Sequence, residues 1–174
     1  VSATEWLEEV LPNEPSWRLE DTVRLAPLLA AHGVDLIDIS SGGNNARQKF
    51  AFGHAASQAA FSHAVRKAAV ADNITVVDTG ARLLVSAVGG IQTGALAAEV
   101  LDNEWADVVF SGRKFQQSPG LVWDMARELG VSIHNSHQIE WGFGGRGQGL
   151  KPRTEKGGHD LPVSKASATE ENKA

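Results

Sequence analysis

The chain has 174 residues, of which 42% are apolar, and a formal net charge of −5. Such a length makes one domain and falls short of the roughly 250 residues of an ordinary eightfold α/β barrel. The acidic balance argues against a nucleic-acid surface, the lack of cysteine excludes disulfides and thiolate metal sites and agrees with a reducing compartment such as the cytoplasm, and no stretch approaches the 18 or more apolar residues of a membrane span.

Val1 to Trp6 reads as the tail of a strand running into a loop that contains Pro12 and Pro15. An amphipathic helix is expected from Leu19 to Ala31, with Leu19, Val23, Ala26 and Leu29 or Ala30 on one face and Gly33 as its stop. Glu20 and Asp21 suit its positive end, whereas Pro27 removes one internal hydrogen bond. Val34 to Ile39 is a strand that closes in Ser40-Ser41-Gly42-Gly43-Asn44, and a long loop with Arg47 and Lys49 extends to about His54. The next helix, about Ala56 to Ala69, places Phe61, Ala64, Val65 and Ala68 on one stripe and leaves His63 off it, as a solvated residue. For Ala71 to Gly80 two readings stay open, a small hairpin built on Ile74 to Val77 and an irregular insertion.

Leu83 to Val88 is a continuous apolar run, the pattern of a parallel strand buried on both faces, and it ends at Gly89-Gly90. Glycines there let a phosphate approach backbone N–H groups, and the helix from Thr93 to about Leu101 is placed to add the partial positive charge of its N-terminus. Ala106 to Ser111 repeats the arrangement and ends at Gly112-Arg113, with a guanidinium at the carboxyl end of a strand. Two successive strand-to-glycine turns match the phosphate site that barrels build after their seventh and eighth strands. Ser118-Pro119 then starts a helix with Leu121, Val122, Met125 and Leu129 facing inward and Gly130 closing it. Val131 to Ile133 leads out, and Lys151 to Ala174 carries no aromatic residue and is expected to be disordered. Alternating strands and helices demand a parallel sheet with crossovers, and the unit count gives half a barrel in residues 1–150.

VSATEW, WRLEDTVRLA, HGVDLIDISSGGN, LLVSAVGGI, ADVVFSGRKFQQSPGLVWDMARELG and HQIEWGFGGRG, in this order and over about 140 residues, resemble the Old Yellow Enzyme family of FMN-dependent ene-reductases (NADPH dehydrogenases), especially its fungal and thermophilic-like members. The resemblance implies the C-terminal half of a (β/α)8 TIM barrel with FMN at the carboxyl ends of its strands. The phosphate ligands would correspond to Val88, Gly89, Gly90, Gly112 and Arg113. Gln58 looks like the family's glutamine near the flavin ring, and Ser41, with Ser40, like its strand-end serines. Ser57 departs from the pattern, standing where an aromatic residue is usual. Trp141 and Arg146 fall in a segment that crosses a subunit interface in some relatives.

The parent reaction that the resemblance implies passes hydride from NADPH to the flavin and then to an α,β-unsaturated carbonyl compound. The family's carbonyl-binding pair, its proton-donating tyrosine and the arginine beside the flavin pyrimidine belong to strands outside this chain, so no catalytic residue is assigned. Open strand edges also predict a homo-oligomer. The alternative is a flavin-free half-barrel remnant or interaction module. An aldolase-like phosphate barrel lacks a strand-borne Schiff-base lysine, Lys114 being nearest, and the short GFGGRGQG run in an acidic chain reads as a flexible loop.

Overall fold

The computed structural model describes residues 1–49, 56–139 and 141–144. It divides into two compact units, Val1–Ile133 and His134–Ala174. The first alternates strands and helices: α1 (Leu19–Ala30), β1 (Leu36–Ile39), α2 (Ala59–Ala71), β2 (Leu84–Val88), α3 (Gly94–Asp102), β3 (Val108–Phe110), α4 (Arg113–Gln117) and α5 (Leu121–Leu129). In the second, α6 (Trp141–Gly144) follows a turn, Trp141 is exposed, and the His134 and His137 rings meet edge to face at 5.9 Å. Arg146 and the tail from Lys151 lie outside the described residues.

The three strands form one parallel sheet in the order β1-β2-β3, with Leu36 opposite Leu84 and Val88 opposite Phe110. A parallel bridge pairs Ser2 with Ser40, so Val1 to Ala3 runs beside β1 as the expected strand tail. Side chains alternate across the sheet. Ile37, Ile39 and Val85 pack beneath α1 and α2 with Ala26, Ala30, Val65 and Ala69, while Ala87 joins a second cluster with Ile91, Ala97, Val100 and Ala106. The opposite face carries Asp38, which accepts from the Ser86 hydroxyl at 2.7 Å, and it leaves Leu84 38% and Phe110 40% exposed. The expectation of a β2 covered on both faces therefore holds for Val85 to Ala87 and fails at Leu84, because no described element packs over that face at the start of the strand.

The ambiguous segment is a hairpin. Thr75 and Arg82 form an antiparallel bridge, and the Val77 N–H donates to the Ala30 carbonyl at 3.2 Å, beside the Gly33 N–H at 3.1 Å, which ties the hairpin to the end of α1. Beside it, Asp107 ties the starts of β2 and β3 together. Its carboxylate accepts from Arg82 Nη2 at 2.7 Å, from Arg66 Nε at 2.9 Å and from the Val85 N–H at 2.9 Å. Burial alone would raise its pKa, and the donated hydrogen bonds overcome that to hold it at about 2.

Three local expectations are corrected. The last long helix begins at Leu121 rather than at Ser118-Pro119, with Gly120 at its N-cap. Its packed side is Leu121 and Ala126, leaving Val122 49% exposed and Leu129 exposed as well, although Leu129 lies against Gly94 of α3. Arg113–Gln117 is a further short helix, with no buried residue to announce it by periodicity. His63 is half-buried instead of solvated, and its Nδ1 is shut off from solvent without a hydrogen-bond partner.

Candidate functional site

Both glycine turns open into one cleft of about 230 Å³ at the carboxyl ends of β2 and β3. Its lining includes Val88, Gly89 and Gly90 from the first turn and Gly112, Arg113 and Lys114 from the second, so the structure brings together the five residues expected to grip a phosphate. The pairing of Val88 with Phe110 explains why. Parallel neighbours in register must release their chains at the same level, and the two turns emerge side by side.

The glycines differ in what they do. Gly89 has φ +110° and Gly90 φ +71°, conformations that L side chains rarely adopt, so this turn requires glycine for its backbone. Gly112 has φ −89°, and a Cβ built on it would meet nothing within 4 Å. Neither dihedral angle nor packing demands a glycine at Gly112, which leaves room at the cleft wall for a ligand to approach the main chain. The backbone N–H groups of Gly90 and Gly112 donate to no atom among the described residues.

The cleft is cationic in an acidic chain. Arg113 and Lys114 line it, no carboxylate does, and Arg113 is exposed without an acidic partner among the described residues. Free main-chain donors beside a fork-shaped guanidinium suit an anion with several oxygens, such as a phosphate monoester.

One expected contributor is engaged elsewhere. The N-terminus of α3 is closed by side chains: Thr93 Oγ1 accepts from the Leu96 N–H at 3.2 Å, and the Glu128 carboxylate accepts from the Gly94 N–H at 2.7 Å and the Ala95 N–H at 3.2 Å. The helix end thus serves α5, not the cleft.

Gln58 reaches the turn without lining the cleft. A Cβ on Gly89 would lie 3.0 Å from Gln58 Nε2, and Gln58 Oε1 is buried with no partner. Ser41 lies after β1 and outside the cleft lining, and its hydroxyl is likewise buried and unpartnered. The sequence reading missed Lys114 and Ser111 as cleft residues. Adjacency to Gly112-Arg113 was the available signal for both.

A parallel α/β unit with a cationic, glycine-walled cleft beyond the strand ends is an arrangement whose chemistry suits an anion. The chain is 45% identical over 154 residues, 85% of its own length, to an NADH:flavin oxidoreductase of Gibberella zeae, of which the match covers 34%. It is 33% identical over 79% of its length to an NADPH dehydrogenase of Listeria monocytogenes and 32% identical over 70% to one of Bacillus pumilus, covering 35% and 32% of those proteins. No family model matches. Over the matched stretch the chain belongs to the Old Yellow Enzyme-type family of NADH:flavin oxidoreductases and NADPH dehydrogenases, and it spans about a third of the length of these curated relatives.

Proposed function

We propose that this chain carries the phosphate-binding side of the FMN site of an NADPH-dependent ene-reductase and corresponds to the C-terminal half of its TIM barrel. The observation that carries the reading is the convergence of Val88-Gly89-Gly90 and Gly112-Arg113 on one cleft with two cations and no carboxylate. Relatives named for a flavin and for NADPH support the cofactor pair.

The residues fit FMN. The N–H groups of Gly90 and Gly112 and the Arg113 guanidinium would hold the phosphate, with Lys114 adding charge. Gln58 and Ser41, whose buried oxygens lack partners, are the side chains proposed to meet the flavin ring system. Bound flavin would supply hydride transfer from NADPH to an α,β-unsaturated carbonyl substrate. This chain's residues bind and orient. No residue of this chain is assigned to activation of the carbonyl.

Titrating the purified chain with FMN and with riboflavin tests this reading. The expected result is tighter binding of FMN and a melting temperature that rises with FMN concentration. Flavin-independent melting and no retained FMN would refute it. Exposed Leu84 and Phe110 favour a second reading, a flavin-free interaction module that presents this sheet face to another chain.

A further inference from the structure

We propose that Ser111 is a positioning residue for the phosphate grip, a role that rests on the FMN reading above. The β2-β3 ladder ends at Val88 and Phe110. Beyond it one chain turns through two glycines of positive φ and the other enters α4, so nothing in the ladder fixes the two turns relative to each other. Ser111 does so: its hydroxyl donates to the Ile91 carbonyl at 2.8 Å, one hydrogen bond past the end of the sheet.

That carbonyl is a rigid anchor. The Ile91 side chain is 2% exposed and packed with Ala87, Ala97, Val100 and Ala106. The turn that follows β2 is therefore fixed at Ile91, and Ser111 transmits that fixity to Gly112 and Arg113.

The chemistry assigns Ser111 to orientation rather than to ligand contact. A hydroxyl carries one proton, and this one is committed to Ile91, so the oxygen turns only lone pairs outward, which an anion avoids. Glu128 occupies the first donors of α3, so the anion depends on the N–H groups of the two turns together with Arg113. Donors on two separate turns act together only when their spacing is held before the ligand arrives.

The test compares the full-length chain with Ser111→Ala and Ser111→Thr, measuring dissociation constants for FMN and riboflavin by flavin fluorescence, with melting curves alongside. Ser111→Ala should lose about fivefold to tenfold in FMN affinity at constant riboflavin affinity, and Ser111→Thr, which keeps the hydroxyl, should restore most of it. An unchanged FMN-to-riboflavin ratio in Ser111→Ala would overturn the inference and leave the FMN reading standing. Equal loss of both ligands, or a collapsed melting curve, would overturn it in favour of a purely structural bond. If the wild-type chain itself fails to prefer FMN over riboflavin, the phosphate reading falls and this inference with it.

Discussion

Glu128 reaches from α5 to the start of α3, where its Oε2 lies 2.7 Å from the Gly94 nitrogen. The approach is close enough that a Cβ on Gly94 would sit 2.7 Å from the Met125 carbonyl oxygen, so the glycine and the carboxylate together set how the two helices cross. A helix end in this position is ordinarily a ready place for an anion. Here a side chain of the same protein holds it.

Glu128→Ala should accordingly lower stability by about 1 kcal/mol, the usual worth of a helix cap, and leave the preference for FMN over riboflavin unchanged. Urea unfolding and flavin titration check the two halves separately. A stability loss accompanied by a changed preference would mean that the phosphate uses the α3 donors after all.

Arg113→Ala removes the exposed guanidinium of the cleft. A hydrogen bond to a charged group contributes roughly 1.5 to 3 kcal/mol, so FMN affinity should fall by about one to two orders of magnitude. Riboflavin binding should stay within about twofold, and the melting temperature of the unliganded chain should not move, because Arg113 has no acidic partner among the described residues. Calorimetric titration decides it.

Gly89→Ala tests the turn itself. Two costs coincide there, a φ of +110° and a Gln58 side chain 3.0 Å from the new methyl group. The side chain can swing away and the dihedral angle cannot, so the variant should lose about 1 to 3 kcal/mol and a Gln58→Ala background should recover only a small part of it. Full recovery in the double variant would assign the cost to the side-chain clash.

Asp107 gives the chain an acid-sensitive joint. Its carboxyl titrates in the folded state at about 2, below its ordinary 3.8, so the ionised form favours folding. The contribution, roughly 2 kcal/mol, is complete above pH 4 and disappears as the pH falls toward 2. Asp107→Asn should be less stable than wild type by about 3 kcal/mol at pH 7, since Arg66 and Arg82 lose their shared partner. The gap should narrow on acidification, which urea unfolding at pH 7, 4 and 2.5 would record.

How much of this was legible in the sequence follows from how far apart the interacting residues lie. The alternation of strands and helices could be read because each element carries its own apolar period, and the cleft residues because two turns repeat one local pattern. Which side of α5 is covered could not. Leu121, Val122, Met125 and Leu129 look equally apolar in a row, and only the folded chain shows Leu121 and Ala126 buried with Val122 and Leu129 exposed. The Glu128 cap spans 34 positions, the Asp107 clamp reaches back 25 to Arg82 and 41 to Arg66, and no local spacing announces such pairs. Helix α4 has no buried residue, hence no stripe to find. Half-barrel closure and the roles of Ser41 and Gln58 rest with the proposed function.

The hairpin that bridges Thr75 to Arg82 precedes β2, whereas Gly89 and Gly90 follow it, so the two features occupy opposite ends of the same strand. Its tip, Asp78-Thr79-Gly80, is exposed. A fluorophore or affinity handle grafted at Thr79 would report on the chain in solution from a strand's length away, leaving the ligand entrance unobstructed.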